Sequence, residues 1–216
     1  MLKLWGHPFS SYTWKAMIAL YANGTPFELI SFEPGNADHA AELARLHPAA
    51  KFPVLIDGAR EIVESTAIIE YLAVAHPGPA PLIPADPAQA LTARMLDRLF
   101  DNYVMTNMNR VVSAHPKNSE APDAEEVAAA KSDLLRAYRW LEGWLGENLL
   151  PPHVSLVTCA AAPSLFYADW VECIPGDCPR LAALRTELLA LPAVARCVED
   201  ARPYRPWFPP GAPDRD

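Results

Sequence analysis

The chain has 216 residues, of which 51% are hydrophobic and 20% are charged, a composition that is typical of globular proteins and excludes the disordered class. Its formal net charge of −8 opposes binding to nucleic acid, which is itself negatively charged. No apolar run approaches the roughly 20 residues of a membrane span, and the first residues hold no signal-peptide core, so we expect a cytoplasmic protein without a membrane or nucleic-acid partner.

Strand and helix signals alternate over residues 1–76. Trp14 and Ile18 lie at helical spacing after a short apolar strand, and Asp57 and Gly58 predict a tight turn between two later strands. The predicted strands are 3–5, 27–32, 52–56 and 61–63, and the predicted helices are 11–22, 40–46 and 64–75. This order of elements predicts a small α/β domain over residues 1–76.

Prolines mark the end of that domain. Their density over residues 77–87 is tolerated neither by a helix nor by a central strand, so we interpret this segment as a linker. Residues 88–216 show no convincing strand signal and are predicted to form an all-helical domain, in which the proline-rich residues 202–216 lie as an extended tail on the surface. The predicted helices are 87–113, 123–146, 155–171, 179–190 and 193–201.

Cysteine and histidine spacing gives no sign of a metal site or a disulfide framework. The four cysteines form no pair separated by two residues, and the six histidines include no pair four residues apart. We therefore expect reduced, mostly buried thiols and no metal ion.

The strongest local pattern joins Phe52 and Pro53, at a strand start, to Glu64 and Ser65, at a helix start. A cis bond before Pro53 would turn the backbone N–H and C=O of Phe52 outward, where a peptide-like ligand can pair as an added strand. The helix start and the Ser65 hydroxyl favour a carboxylate, while Glu64 favours an ammonium. The pattern predicts a pocket for a small peptide with both charges. The alternative is that Ser65 only caps its helix and Pro53 only shapes a turn.

Three segments of the chain resemble the cytosolic glutathione S-transferases, in particular their serine-type zeta, theta and phi classes. Residues 51–72 resemble the family's glutathione-binding segment, residues 4–15 its first strand and active-site loop, and residues 159–170 the sixth helix of bacterial members. The resemblance covers nearly the whole chain. It implies a thioredoxin-like domain followed by an all-helical domain, with reduced glutathione as co-substrate and a small hydrophobic electrophile as second substrate.

In the serine-type classes a hydroxyl at the end of the first strand activates glutathione, and Ser10 occupies that place here. A free thiol with a pKa of about 8.5 is only a few per cent ionised at pH 7, and one hydrogen bond to the thiolate contributes about 1.5–3 kcal/mol to its ionisation. Ser10 is therefore the expected catalytic residue, with Ser11 and Tyr12 as the nearest alternatives. We expect Ser11 to be occupied in capping the first helix, although a cap role also fits Ser10.

The family's layout also assigns the glutathione contacts. It implies that the Phe52 backbone binds the cysteinyl part, that Glu64 and Ser65 bind the γ-glutamyl end, and that Lys51 and His39 meet the glycine carboxylate. The alternative for His39 is a solvated surface residue, because a neutral imidazole is a weak partner for an anion. The glutathione-binding residues predicted in this way are Ser11, His39, Lys51, Phe52, Pro53, Glu64 and Ser65.

The electrophile is expected where the first loop faces the fourth helix. Its candidate contacts are Phe9, Tyr103, Met105 and Met108. The alternative is that these aromatic and methionine side chains, which lie at helical spacing, belong to the core.

The resemblance also implies a homodimer, because the family pairs the small domain of one subunit with the helical domain of the other. A closed two-fold arrangement is the usual one for oligomers of this kind. We expect Arg94 and Phe100 among the outer residues of the fourth helix.

Two departures from the family pattern bear on activity and stability. The zeta class, whose members isomerise maleylacetoacetate, has a serine-serine-cysteine run where this chain has Ser10, Ser11 and Tyr12, which argues against that activity. Before the sixth helix Thr158 replaces the usual capping aspartate, with an expected loss of stability approaching about 1 kcal/mol.

The leading hypothesis is a glutathione transferase. The alternatives are a glutathione-binding protein of this family without transferase turnover and a glutathione-dependent isomerase. Thiol-disulfide chemistry is disfavoured, because relatives with that chemistry carry cysteine where Ser10 stands and a hydroxyl cannot form a mixed disulfide.

Overall fold

The computed structural model describes residues 1–33, 35–115 and 121–216. In the described N-terminal part the strands are β1 (Leu2–Gly6), β2 (Phe27–Ser31), β3 (Val54–Asp57) and β4 (Arg60–Val63). They form one sheet in the order β2-β1-β3-β4, in which β1 runs parallel to β2 and antiparallel to β3. The helices of this part are α1 (Ser11–Ala22), α2 (Ala37–Leu46) and α3 (Ser65–Ala75).

The two faces of the sheet are covered by different helices, as the alternation of side chains along a strand requires. Leu4 and Leu55 are fully buried under α1 and α3. Trp5 and Val54, one position along each strand, pack with Leu43 of α2 on the opposite face. This layered arrangement confirms the predicted thioredoxin-like domain.

The turn from β1 into α1 is fixed by two local features. Ser10 is the N-cap of α1, and its Oγ accepts a hydrogen bond from the Thr13 N–H at 3.2 Å. Gly6 ends β1 so close to the helix that an added Cβ would lie 2.5 Å from Cγ2 of Thr13. The loop over residues 7–10 is therefore held at the edge of the sheet.

The rest of the described chain is helical. A π-helical segment (Phe100–Met105) joins α4 (Pro87–Leu99) to α5 (Thr106–Ser113), and the three pieces follow one another without a break, as predicted for 87–113. The later helices are α6 (Ala124–Glu147), α7 (Leu156–Val171), α8 (Pro179–Leu189) and α9 (Pro192–Ala201). Within the described ranges, no helix is both long and apolar enough to cross a membrane.

Helix α7 is the centre of the core, and every one of its residues is buried. Its Phe166 packs against Trp14 of α1, with ring centroids 4.9 Å apart, and so ties the helical part to the thioredoxin-like part. At its start, Thr158 Oγ1 accepts a hydrogen bond from the Ser155 N–H at 3.2 Å. Threonine therefore supplies the reciprocal bond of a capping box, although without the negative charge of an aspartate.

The end of the chain departs from the predicted extended tail. It begins with a 3₁₀-helix (Arg202–Trp207), which tolerates proline in its first turn, and continues to Phe208, which is only 6% exposed. The Phe208 ring packs against Trp170 with centroids 5.2 Å apart. Arg215 then forms an ion pair with Asp169 of α7. The aromatic and charged side chains hold the tail against the body.

The prediction that Phe100 lies on the outer face of the long helix is wrong. Phe100 is 1% exposed and packs in the core, because this position turns toward α7. Arg94 does lie on the outside, where it pairs with Glu70 of α3 at 2.7 Å. The exposed apolar side chains of this helix are Leu91, Met95 and Tyr103.

Candidate functional site

Two adjoining cavities open where the loop after β1 faces β3, α3 and the long helix α4–α5. We call them the polar cavity, of about 250 Å³, and the apolar cavity, of about 360 Å³. The polar cavity is lined by Tyr12, His47, Lys51, Phe52, Pro53, Glu64, Ser65, Arg98, Asp101 and Asn102. The apolar cavity is lined by Phe9, Ser10, Ser11, Tyr12, Ala50, Lys51, Phe52, Met108, Asn109, Val112, Tyr167 and Phe208. Tyr12, Lys51 and Phe52 stand at their common boundary.

The backbone around both cavities is held in unusual conformations. The bond between Phe52 and Pro53 is cis, and Glu64 and Ala50 adopt positive φ angles of 70° and 48°. Such angles are costly for residues with a side chain, at about 1–3 kcal/mol each, and they cluster at ligand sites. At Glu64 the turn brings the start of α3 to the polar cavity, with Ser65 as its first residue and only 5% exposed.

The polar cavity offers partners for both signs of charge. The first N–H groups of α3 have no carbonyl partner within their helix, and together with the Ser65 hydroxyl they suit a carboxylate. The Glu64 side chain is 75% exposed and lies 3.6 Å from His47 Nε2. Lys51, on the boundary, supplies a cation. These groups suit a dipolar ligand.

The long helix contributes a second set of charges that the sequence analysis missed. Arg98 and Asp101 line the polar cavity, and Arg98 Nη2 lies 2.6 Å from Asp101 Oδ2. Burial raises the pKa of the Asp101 carboxyl. Oppositely charged residues three positions apart on a helix usually form a solvated ion pair. The sequence therefore gives no sign that Arg98 and Asp101 line a cavity.

The start of α1 lines the apolar cavity with three residues that carry hydroxyl groups, Ser10, Ser11 and Tyr12. Ser10, and not Ser11 as predicted, caps the helix, because the N-cap position lies before the first helical residue. As a cap Ser10 Oγ accepts a hydrogen bond, so its own proton remains available to a ligand. Ser11 is buried at 8% exposure. Burial raises the pKa of Tyr12 to about 12, which keeps its phenol protonated and able to donate at neutral pH.

The apolar cavity has an aromatic wall built from three separate parts of the chain. The Phe9 and Tyr167 rings meet edge to face with centroids 5.5 Å apart, and the Tyr167 hydroxyl donates to the Phe9 carbonyl at 3.0 Å. Phe208 of the tail stacks on Tyr167 at 6.3 Å. Among the described residues that line this cavity, Lys51 is the only basic one. The wall therefore suits an uncharged apolar molecule.

Three predicted contacts lie outside both cavities. Met105 is fully buried in the core, and Tyr103 lines a different cavity, between the long helix and α6. His39 lies in the first turn of α2, where its ring meets Trp5 edge to face at 5.3 Å. The structure does bring Phe9 and Met108 together, at the apolar cavity.

Across residues 1–33, 35–115 and 121–216, no three His, Cys, Asp or Glu side chains lie close enough together to hold an ion.

Comparisons with known proteins agree with the fold. Residues 1–74 match the family model "Glutathione S-transferase, N-terminal domain". The chain is 30% identical over 201 residues to the uncharacterised GST-like protein YibF of Escherichia coli, an alignment that covers 90% of this chain and 97% of the relative. It is 29% identical over 211 residues to a probable maleylacetoacetate isomerase of Vibrio cholerae, covering 94% and 97%.

Among solved structures, a glutathione S-transferase of Methylobacterium radiotolerans in complex with glutathione sulfonate superposes with a TM-score of 0.75. That alignment is 27% identical and covers 91% of this chain and 94% of the other. Similarity along nearly the whole length, on the same two-part fold, decides the assignment: the chain belongs to the glutathione S-transferase family of enzymes.

Proposed function

We propose that the chain binds reduced glutathione in the polar cavity and joins its thiolate sulfur, which stays part of glutathione, to a small apolar electrophile held in the apolar cavity. The observation that carries this proposal is the boundary between the two cavities. There Tyr12 of α1 lines both cavities together with Phe52, and the two preceding residues, Ser10 and Ser11, line the apolar cavity beside it. A thiol anchored from the polar side would meet donors and an apolar partner at the same place.

Glutathione fits the polar cavity group by group. Its γ-glutamyl carboxylate would accept hydrogen bonds from the Ser65 hydroxyl and the first N–H groups of α3, and its ammonium would face Glu64 and Asp101. The cysteinyl part would pair with the Phe52 backbone, and the glycine carboxylate would lie toward Lys51. The glutathione sulfonate complex of the Methylobacterium relative supports this choice of ligand.

The chemistry requires a thiolate at neutral pH. Lowering a thiol pKa of about 8.5 by two units needs about 2.7 kcal/mol of selective stabilisation. A hydroxyl hydrogen bond to the anion contributes about 1.5–3 kcal/mol, and the start of a helix about 0.3–1 kcal/mol. Ser10, whose proton is not used by its cap bond, and the start of α1 together reach that sum. The Ser10 hydroxyl is accordingly proposed to stabilise the thiolate.

A glutathione-dependent isomerisation is the second candidate, and the likeness to a probable maleylacetoacetate isomerase favours it. Substrates of a maleyl type carry carboxylates, which need cationic partners in an enclosed site. The described lining of the apolar cavity offers only Lys51, which is already proposed for glutathione. We therefore rank conjugation of uncharged electrophiles first.

Calorimetry with reduced glutathione, followed by assays on two substrate sets, tests both candidates. We expect binding of glutathione and its conjugation to uncharged aryl and alkyl electrophiles. Turnover of maleyl acids with no conjugation would establish the isomerase instead. Glutathione binding with neither conjugation nor isomerisation would indicate a binding protein without turnover. Absence of glutathione binding would refute the proposed site.

We also propose a homodimer that uses the outer face of the long helix. Leu91, Met95 and Tyr103 are 69%, 42% and 56% exposed, and they follow one another at helical spacing. Trp140 of α6 adds a fourth exposed apolar side chain. Sedimentation should show a species of twice the 23.7 kDa chain mass at micromolar concentration, and a monomer alone would contradict this proposal.

A further inference from the structure

Lys15 is a fully buried cation in the middle of α1. Its side chain has no exposed surface, and its Nζ lies 2.7 Å from Asp97 Oδ1 and 2.6 Å from Asp101 Oδ2. The third proton of the ammonium is donated to Thr66 Oγ1 at 3.1 Å. Every donor of the ammonium is therefore used.

The partners of Lys15 belong to the elements that build the polar cavity. Thr66 follows Ser65 at the start of α3, and Asp101 lines the cavity from the long helix. Arg98 completes the group, because its Nη2 lies 2.6 Å both from Asp97 Oδ2 and from Asp101 Oδ2. Two cations balance two anions, and the group joins three helices at one point.

The two oxygens of Asp101 are not equivalent. Oδ2 is held by both Lys15 and Arg98, whereas Oδ1 is buried and has no hydrogen-bond partner among the described residues. The Asp101 side chain is 6% exposed and borders the polar cavity. An unpaired buried oxygen on a fixed carboxylate is costly unless a ligand pairs with it, and the matching ligand group is an ammonium.

Stability alone is a weak reason for such a cluster. Replacement of a buried ion pair by apolar side chains of similar size is often neutral or stabilising, because desolvation of the ions offsets their attraction. Burial raises the pKa of the Asp101 carboxyl, and Lys15 is the main opposing influence. Lys15 thus serves to keep a carboxylate charged beside the cavity.

From this arrangement we infer that Lys15 is a positioning residue for glutathione: it holds Asp101 so that the free Oδ1 accepts the α-ammonium of the γ-glutamyl end. This inference rests on the proposed binding of glutathione in the polar cavity. Lys15 itself touches no ligand and acts through Asp101.

The test compares glutathione with glutaryl-cysteinylglycine, which carries hydrogen in place of the α-ammonium. Calorimetry should show that the wild type prefers glutathione by about 10- to 100-fold, as expected for a hydrogen bond between charged groups. Lys15→Met should reduce this preference to about 2-fold or less and leave the affinity for the analogue nearly unchanged. Lys15→Arg, which keeps the charge, should retain part of the preference.

Lys131→Met is the matched control, because Lys131 forms an ion pair with Glu172 on the surface and lies outside both cavities. It should keep the full preference. A Lys15→Met protein that keeps the preference, or that loses affinity for both ligands equally, overturns the inference.

If Lys15→Met does not fold, Lys15→Met/Asp97→Asn decides in its place, because it removes one buried cation together with one buried anion, while Asp101 still loses the ammonium that holds it. The same two outcomes apply to it. A wild type that binds both ligands equally well also overturns the role of Lys15 while leaving glutathione binding intact. A wild type that binds neither ligand refutes the proposed function itself.

Discussion

The polar and the apolar cavity share a boundary but are built in opposite ways. The polar cavity uses fixed charges, the start of α3 and strained backbone at Glu64, and apart from Tyr12 its lining comes from residues 47–65 and the long helix. The apolar cavity is assembled from rings of distant segments, with Phe9 and Phe208 near the two ends of the chain. A dipolar ligand with a defined shape needs the first design, whereas an apolar partner needs only a wall of suitable area. The two halves of the proposed reaction should therefore respond to different mutations.

The largest expected effect is on the apolar side. Phe208→Ala removes a nearly buried ring from the wall and should lower the free energy of unfolding by about 3 kcal/mol. The KM for an apolar electrophile should rise several-fold, while calorimetry should show an unchanged Kd for glutathione. Leu149→Ala, at a side chain that is 96% exposed, is the control and should change neither value. A Phe208→Ala protein with weakened glutathione binding would show that the two cavities are not independent.

The second effect concerns the start of α1, next to the boundary between the cavities. Ser10→Ala should raise the pKa of the bound thiol by about one to two units and reduce turnover at neutral pH by about 10- to 100-fold. Because Ser10 also caps α1, unfolding should become easier by about 1 kcal/mol. A pH titration of thiolate absorbance in the glutathione complex separates the two consequences.

Ser11→Ala and Tyr12→Phe are the comparisons for Ser10. If Ser11→Ala loses the thiolate at neutral pH and Ser10→Ala keeps it, the catalytic role belongs to Ser11. If only Tyr12→Phe loses it, the phenol, whose pKa of about 12 keeps it protonated, is the donor.

The third effect is confined to the polar side. Ser65→Ala should weaken glutathione binding by about 1–3 kcal/mol, because it removes a hydrogen bond to a charged carboxylate. The electrophile KM, measured at saturating glutathione, should stay unchanged. Ser113→Ala, at an exposed serine, is the control in the same calorimetric titration. Equal affinity in the Ser65→Ala protein would remove the assignment of the γ-glutamyl end to the start of α3.

What the sequence predicted follows from local physics. Helix α1 begins and ends at the predicted residues 11 and 22. Its cap and its apolar spacing are local signals, because both depend on residues close together in the sequence. The two-part fold and the family, which are confirmed as well, were predictable for a similar reason. The strand, turn and cap signals that indicate them are local and agree with one another. The roles of Ser10, Phe52 and Ser65 stay predictions until they are measured.

What the sequence did not predict depends on contacts between distant residues. Lys15 and Asp101 are 86 positions apart, and no local sequence pattern around either residue indicates that they pair. Tyr103 and Met105 are two positions apart on a helix and so face different directions, one outward and one into the core. Only the packing of the long helix against α6 and α7 decides which side chain reaches which cavity.

The smallest expected effect is on stability at acid pH and concerns Asp57, which lines neither cavity. It tests whether protonation of a carboxyl on the sheet changes stability without changing the site. Asp57, at the end of β3, accepts a hydrogen bond from the Tyr71 hydroxyl at 2.8 Å, and its Oδ2 lies 2.6 Å from His76 Nε2. These partners, His76 foremost, hold the pKa of the Asp57 carboxyl below its usual value of 3.8. A lowered pKa in the folded state stabilises the protein fully above the unfolded pKa, and this contribution is lost as the pH falls through the lower folded value.

Urea unfolding of the wild type and of Asp57→Asn between about pH 2 and pH 6 tests this sign. The difference in stability should be largest above about pH 4 and should shrink below it, and it should be small because Asp57 and His76 are 30% and 31% exposed and solvent screens the pair. Glutathione affinity at neutral pH should be the same in both proteins, since neither residue lines a cavity of the site. A difference that instead grows toward acid, or a changed affinity for glutathione, would mean that the charge at Asp57 reaches the site through β3 and α3.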